Sequence, residues 1–366
     1  MSRKSFLVAP VLVLALVAAA CSKSSTNTTP PTGGGTTTAP GPALKVAVLY
    51  DLTGRGDKSF NDAAAAGLDK AKGMFNLDVK ELTPNSGGTN RTELLTLAAS
   101  QGYKLIIGVG FLYAPNLGEV AAKFPNSHFA NVDGFIDHTT CSTCKDESPT
   151  GNVASLLFAE NEGAYLVGAA AALKSTTHHI GFIGGVDISL IQKFQAGYDA
   201  GAKTIDPTIT IDHKYITEPP DFSGFNTPDK AQVIAQGMYQ AGADVVYHAA
   251  GGSGTGLFKA AVAYSASSGK HVWAEGTDSD QYLSASADQQ PFILTSNLKR
   301  VDVSVFDTIQ NEVNGTFAGG IKEFDLKAGG VGYATSGGFV DDIKTKLDDL
   351  AAKITSGEIK VPTTPS

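Results

Sequence analysis

The stretch VLYDLTGRGDKSFND, residues 48–62, gathers acidic, basic, amide and aromatic side chains in one short segment. It reads as the end of a buried strand, a glycine-broken loop and the start of a helix. A loop that only connects needs Gly, Ser or Pro, whereas this one carries Asp51, Phe60 and Asn61 together. A carboxylate accepts hydrogen bonds, an amide both donates and accepts, and a phenyl face stacks on a flat ring. These residue types predict a loop that holds a planar, polar ligand.

Acidic and glycine residues recur where other predicted strands end. Asp133 follows FANV, Gly252 follows VVYHAA, and Asp278 follows VWAEGT. In doubly wound sheets, ligands bind beyond the carboxyl ends of the strands, and glycine lets the backbone approach a ligand closely. A single Asp or Gly in such a place more often caps a helix or forms a turn. With Gly110 after LIIGV and Gly184 after GFI, the pattern occurs at six strand ends, and this repetition favours one shared site.

The elements that would position these residues alternate along the chain from Leu44 onward. Nearly continuous apolar runs such as LKVAVLY, YKLIIGVG and HIGFIGG alternate with helical patterns such as DAAAAGLDKAKGMF. Continuous apolar strands separated by helices indicate a parallel sheet that is covered on both faces. The pattern restarts after about residue 150. The sequence therefore predicts two doubly wound α/β lobes with a cleft between them.

The N-terminal residues are expected to lie outside that fold. Residues 1–20 combine a basic start with the apolar run FLVAPVLVLALVAAA, which predicts a secretory signal peptide. The segment AAAC, ending at Cys21, resembles a bacterial lipobox, although Ala18 stands where leucine is usual; ordinary cleavage without lipidation is the alternative. Residues 21–43, rich in Thr, Gly and Pro, predict a disordered tether. We expect a protein outside the cytoplasm, lipid-anchored to a bacterial cell membrane.

Charge and cysteine content exclude several classes of function. The formal net charge is −8, and the chain has no run of five basic residues, so nucleic acid is not an expected partner. Cys141 and Cys144 form a single CxxC in a polar loop. In an oxidising compartment this pair predicts a local disulfide, with redox chemistry or half a zinc site as the alternative.

Catalytic motifs are weak or missing. The sequence contains no HExxH and no GxSxG, and GGSGTG lacks the Lys-Ser/Thr ending of a phosphate-binding loop. The acidic pair in TDSD is a weak signal for a divalent cation, and a sugar-binding role for it needs no metal. We expect neither an enzyme nor a cofactor nor a metal site.

Seven stretches also carry a family likeness, in this order along residues 45–310. They are DKSFND, GYKLIIGVGFLYAPNLGEVAAKFPNSHFANVDG, NVASLLFAENEGAYLVGAAAAL, IGFIGGVDISLIQKFQAGYDAGAK, GADVVYHAAGGSGTGLFKAA, VWAEGTDSDQY and ILTSNLKRVD. With these stretches, the chain resembles the basic membrane lipoproteins of the nucleoside-binding kind, related to the purine nucleoside receptor lipoproteins of ABC importers.

The resemblance implies a type I periplasmic-binding-protein fold with two lobes joined by a three-segment hinge. We expect the first lobe to comprise residues 44–152 with about 279–310, and the second 153–278 with about 311–360. It also implies a purine base held between two aromatic rings and a ribose held by acidic, glycine and lysine residues. Carried over by motif, the ligand-binding residues are Asp51, Phe60, Asn61, Asp133, Phe194, Gly252, Asp278 and Lys299.

The expected function is therefore that of a membrane-anchored receptor which closes over a purine nucleoside and delivers it to an ABC permease. Two alternatives stay open at this point. One is a secreted nucleoside-processing hydrolase, and the other is a surface or sensing lipoprotein that uses the same pocket without transport. Departures from the family pattern, such as Arg55 in the first loop and the CSTCKDES segment, leave the identity of the nucleoside open.

Overall fold

Two six-stranded sheets organise the chain in the structure, a computed structural model that describes residues 42–136 and 151–366. The predicted signal peptide, almost all of the tether, Cys21, Cys141 and Cys144 lie outside these ranges, so lipidation and the disulfide stay predictions. Residues 42–366 form one compact unit. In the described ranges, no helix has the length and apolar character needed to cross a membrane.

The first sheet has the strand order β2-β1-β3-β4-β5-β11, and all of its neighbouring strands are parallel. Its inner strands are almost fully buried because helices cover both faces, which is why they read as continuous apolar runs. The strands are β1 (Leu44–Leu49), β2 (Leu77–Leu82), β3 (Leu105–Val109), β4 (His128–Val132), β5 (Val153–Phe158) and β11 (Gly320–Phe324).

The second sheet repeats this order as β7-β6-β8-β9-β10-β12, with the last strand antiparallel. Both lobes therefore share the 2-1-3-4-5 winding, in which a ligand crevice opens where the strand order reverses. The strands are β6 (His179–Val186), β7 (Thr210–Thr217), β8 (Val245–Ala249), β9 (Trp273–Asp278), β10 (Ile293–Lys299) and β12 (Val331–Tyr333).

Helices connect the strands and cover the sheets in both lobes. In the described part of the chain they are α1 (Phe60–Met74), α2 (Arg91–Ser100), α3 (Ala114–Lys123), α4 (Glu160–Lys174), α5 (Ser189–Ile205), α6 (Pro228–Ala241), α7 (Thr255–Ser268), α8 (Gln281–Ser284), α9 (Val301–Val313) and α10 (Lys344–Thr355). The alternation of strands and helices predicted from Leu44 onward is present in both lobes. The glycine-rich tail adds β11 and β12, which its composition did not predict.

The chain passes between the two sheets three times, as expected, but at other positions than the predicted boundaries. The passages follow β5, β10 and β11, because β5 pairs with β4 in the first sheet and β10 pairs with β9 in the second. Residues 153–158 and 320–324 thus belong with the first lobe and residues 293–299 with the second, opposite to the sequence-based division. An apolar strand can pair in either sheet, so the run of residues alone does not decide which one it joins.

Helices α4 and α5 of the second lobe pack so closely that glycine is required at their contact. A Cβ added at Gly201 would overlap the carbonyl oxygen of Tyr165, and one added at Gly168 would overlap that of Tyr198. Gly237, in the middle of α6, has open space where a Cβ would stand. The small-residue pattern of AYLVGAAAAL and QAGYDAGAK therefore serves close helix packing.

We expect Gly201→Ala to lower the free energy of unfolding by about 1–3 kcal/mol, because the two helices must move apart. Gly237→Ala is the matched control, and it should stabilise the protein by about 0.5–1 kcal/mol through higher helix propensity. Urea unfolding followed by circular dichroism measures both. Equal effects of the two substitutions would contradict the packing role of Gly201.

Candidate ligand-binding cleft

A cavity of about 220 Å³ lies between the lobes, at the carboxyl ends of strands from both sheets. Its walls include the loop after β1, the end of β4, helix α5, the turn after β8 and the ends of β9 and β10. All eight ligand-binding residues predicted from the sequence line this one cavity: Asp51, Phe60, Asn61, Asp133, Phe194, Gly252, Asp278 and Lys299.

The loop between β1 and α1 is held in shape by its own polar side chains. The carboxylate of Asp57 accepts hydrogen bonds from the backbone N–H groups of Ser59 (3.0 Å), Asn61 (2.8 Å) and Asp62 (3.1 Å). Burial raises the pKa of Asp57 to about 6, against the lowering effect of these bonds. Asp57, which the sequence analysis did not single out, therefore fixes the start of α1 and with it Phe60.

Asn61 is occupied inside this loop. Its Oδ1 accepts from the N–H of Asp51 at 2.9 Å, and its Nδ2 donates to Thr53 Oγ1 at 2.9 Å and to Asp57 Oδ2 at 3.0 Å. Both amide hydrogens are thus engaged by protein groups, while the side chain still borders the cavity. This geometry favours a positioning role for Asn61 over the direct contact with a ligand that was predicted for it from the family likeness.

Asp51 is anchored by an arginine that comes from α2. Asp51 Oδ1 accepts from Arg91 Nη2 at 3.1 Å and from the N–H of Leu52 at 2.8 Å. Burial raises the pKa of Asp51, and Arg91 opposes that rise. Arg91 is buried and lies over the ring of Tyr113, so a fixed cation offsets the charge of Asp51.

Lys299 is the centre of a buried charge cluster at two of the three interlobe passages. Its Nζ donates to Asp133 Oδ2 of the first lobe at 2.7 Å and lies 3.1 Å from Glu160 Oε1 at the start of α4. Glu160 Oε2 also accepts from Lys193 at 2.6 Å. Burial alone would lower the pKa of Lys299, but Asp133 and Glu160 outweigh it and hold that pKa well above its usual value. Lys299 is therefore a fixed cation between the lobes.

The two strand-end aspartates, Asp133 and Asp278, share an unusual backbone conformation. Their φ angles are +64° and +63°, a left-handed region that few residues other than glycine adopt. Asp278 Oδ2 accepts from the hydroxyl of Ser59 across the cleft at 2.5 Å. Among the described residues, Asp133 Oδ1 has no hydrogen-bond partner although it is buried. An unpaired carboxylate oxygen beside the cavity is a ready acceptor for a ligand hydroxyl.

Phe60 and Phe194 come from different lobes and border the same cavity. Lys299 Nζ lies 5.3 Å from the ring centroid of Phe60 and 5.7 Å from that of Phe194. Phe194 is 2% exposed and also belongs to the core of the second lobe, whereas Phe60 is only partly buried. The rings thus share a void, and the sandwich of a base between them stays a prediction.

Three more aromatic residues line the cavity but were not among the ligand-binding residues predicted from the sequence. Phe111, in the turn after β3, meets Phe222 of the second lobe edge-on, with 5.9 Å between ring centroids. Phe225 also lines the cavity. The sequence did contain a pattern that could have indicated Phe222 and Phe225. The stretch PPDFSGFN follows a predicted strand and places these two aromatic residues in a loop.

We expect Lys299→Met to lower the free energy of unfolding by about 3–5 kcal/mol near neutral pH, because it leaves buried carboxylates without their cation. Burial already raises the pKa of Asp133 to about 6 and raises that of Asp278. Without Lys299 these pKa values rise further above the unfolded value of about 4, so the folded state binds more protons and becomes more stable as the pH falls.

The loss of unfolding free energy in Lys299→Met, relative to the wild type, should therefore be smaller at pH 5 than at pH 7.5. Urea unfolding at both pH values measures it. Lys344→Met is the control, since it breaks an exposed pair with Asp348 and should cost about 0–1 kcal/mol. A deficit that does not change with pH would contradict the buried-charge account.

Comparison with known proteins agrees with this geometry. The family described as ABC transporter substrate-binding protein PnrA-like matches residues 43–365. The ABC transporter nucleoside-binding protein BmpA of Lactococcus lactis is 36% identical over 87% of this chain and 89% of its own length. An uncharacterised lipoprotein of Pyrococcus abyssi is 36% identical over 79% of this chain and 69% of its own length.

A solved structure shows the same architecture. The crystal structure of a solute-binding protein of an ABC transporter system from Aeropyrum pernix superimposes with a TM-score of 0.73 and 32% identity, covering 87% of this chain and 94% of that one. The family match over almost the whole described fold and this likeness lead to one conclusion. The chain belongs to the Bmp family of PnrA-like ABC transporter substrate-binding proteins.

Proposed function

We propose that the cleft binds a purine nucleoside and that the protein, lipid-anchored through Cys21 outside the cytoplasm, delivers it to an ABC permease. The observation that carries the proposal is the meeting of two kinds of group in one cavity. Aromatic rings from both lobes border it, and buried carboxylates with a fixed lysine border it as well. The name of the Lactococcus relative, a nucleoside-binding protein, supports the same ligand class.

The chemistry of the cavity suits the two halves of a nucleoside. A heterocyclic base contacts aromatic faces with little loss of hydration, at about 1–3 kcal/mol per stacked base. Ribose hydroxyls donate to carboxylates in charge-assisted bonds, which are stronger than neutral ones. Asp133 Oδ1 is available for such a bond, while Lys299 limits the repulsion between Asp133 and its acidic neighbours.

The proposed mechanism is reversible closure without bond breaking. Ligand contacts from both lobes stabilise the closed arrangement only when the lobes meet, so binding shifts the population toward it. Thermal-shift measurements with inosine, adenosine, guanosine and free ribose test the ligand class. A nucleoside at 100 times its dissociation constant should stabilise the protein by about 2.7 kcal/mol. Chromatography after incubation should recover the nucleoside intact, and release of free base would contradict a purely binding role.

We expect Phe60→Ala to weaken nucleoside binding about 5- to 150-fold, the equivalent of one lost stacking contact, as measured by isothermal titration calorimetry. Phe60→Tyr should retain most of the affinity because it keeps the ring. The control is Phe317→Ala, which removes a part-buried ring that stacks on His128. Unchanged affinity in Phe60→Ala would show that the base lies elsewhere.

Asp278→Asn should reduce affinity for a nucleoside about tenfold or more, because a neutral amide replaces a charge-assisted acceptor for a hydroxyl. The same substitution should leave the binding of the free purine base nearly unchanged, which separates the sugar from the base. Asp187→Asn is the control, since Asp187 also follows a strand but accepts from Gln192. If Asp278→Asn lost affinity equally for the free base and for the nucleoside, a sugar-specific role of Asp278 would be ruled out.

A further inference from the structure

The cleft is crossed by hydrogen bonds that involve protein groups alone. The turn of the first lobe before α1 faces the turn of the second lobe after β9. Ser59 Oγ donates to Asp278 Oδ2 at 2.5 Å, and Ser279 Oγ donates to the carbonyl oxygen of Ser59 at 3.1 Å. Gln281 Nε2 donates to the carbonyl oxygen of Lys58 at 2.9 Å. These bonds join the lobes directly beside the cavity.

The side-chain amide of Gln281 is oriented so that its nitrogen, and not its oxygen, faces the first lobe. Its Oε1 accepts from His248 Nε2 at 2.9 Å and from the N–H of Thr277 at 2.9 Å. His248 is buried and its Nδ1 faces the N–H of Ala250, so its proton belongs on Nε2. Burial also lowers the pKa of His248 to about 4, which keeps it neutral at neutral pH. The amide nitrogen of Gln281 therefore points at the first lobe.

The receiving group on the first lobe is held in a matching way. Lys58 has a φ of +55°, a conformation that a residue with a Cβ keeps only when its surroundings fix it. Asp62 accepts from the N–H of Lys58 at 2.9 Å, and Asp57 accepts from that of Ser59. The Lys58 carbonyl is thus presented to Gln281 by the same loop that carries Phe60.

We propose that Gln281 is a positioning residue that clasps the two lobes in the closed arrangement, which it helps to populate without ligand, and places the Phe60 loop for binding. Gln281 and Ser279 do not line the ligand cavity, so they act through the loop and not by touching ligand. The clasp lowers the rearrangement that binding requires, which raises affinity by slowing release. The effect on ligand affinity rests on the proposed nucleoside function, whereas the clasp itself does not.

Gln281→Glu tests the clasp because it keeps the side-chain shape and the acceptor for His248 and Thr277. It replaces the amide donor with a carboxylate oxygen that faces the Lys58 carbonyl, and it also places a charge at a buried position. Exchange is therefore measured at alkaline pH, where the carboxyl is ionised and has no hydrogen to donate, and Ser279→Ala is measured beside it. In purified, full-length, ligand-free protein, we expect amide hydrogen exchange in residues 57–62 and 277–282 to become about tenfold faster in this variant. The exchange of both segments should change together, because one opening event exposes both.

Gln290→Glu is the matched control, since Gln290 Nε2 donates to the Tyr282 carbonyl at 3.0 Å within the second lobe. It should leave the exchange of residues 57–62 in the first lobe unchanged, because the bond it removes lies entirely within the second lobe. Ser279→Ala removes another interlobe bond without changing the second lobe's interior, and it should accelerate exchange in the same direction by a smaller factor. If Gln281→Glu does not fold, Ser279→Ala alone tests whether these hydrogen bonds hold the lobes together.

The clasp is overturned if residues 57–62 and 277–282 exchange as slowly in Gln281→Glu as in the wild type. It is also overturned if the wild type already exchanges as fast as the variants. Stopped-flow measurement of inosine release adds a second readout, with about tenfold faster release expected in Gln281→Glu. If the wild type binds no nucleoside, the proposed function fails, and the exchange experiment still decides whether the clasp exists.

Discussion

The contact between Lys299 and the carboxylates around it is the constraint on which the site depends. Lys299 ends β10 in the second lobe, Asp133 follows β4 in the first, and Glu160 begins α4 just after the first passage between the lobes. A buried cation with two acidic partners from different parts of the fold fixes where those chain segments meet. The same ammonium group lies within 6 Å of the ring centroids of Phe60 and Phe194.

Electrostatics and packing are coupled through this cluster. Aspartates buried beside an apolar cavity would ordinarily take up protons, and Lys299 limits that tendency for Asp133 and Asp278. Ionised carboxylates are the stronger acceptors for hydroxyl groups, so the lysine preserves the chemistry proposed for the sugar half of the ligand. The aromatic rings supply the apolar surface against which a base can lie. One buried cation thus serves both halves of the proposed site.

The duplicated winding explains why two lobes can form one pocket. Each sheet has its strand-order reversal beside its first strand, and the carboxyl ends of both sheets line the same cavity. The loop after β1 makes hydrogen bonds both within itself and to the second lobe. Asp57 and Asn61 hold it internally, while Ser59 and the Lys58 carbonyl contact the second lobe. The conformation of the loop and the contact between the lobes therefore depend on residues that are adjacent in the chain.

The sequence by itself predicted the two α/β lobes, because buried parallel strands read as apolar runs, and it pointed to Asp51, Asp133, Gly252 and Asp278, which follow strand ends. Phe60, Asn61, Phe194 and Lys299 were assigned to the site only by the family resemblance, and all eight residues line one cavity. The sequence did not assign β5 and β10 to their sheets, since the apolar runs fit either partner. Nor did it show that the Asn61 amide is already engaged, or that Phe222 and Gln281 reach the other lobe. The partners of Phe222 and Gln281 are far apart in the chain, and only the folded geometry brings them together. The Asn61 partners Asp57 and Thr53 are close in sequence, but they lie in an irregular loop whose path no periodic pattern predicts.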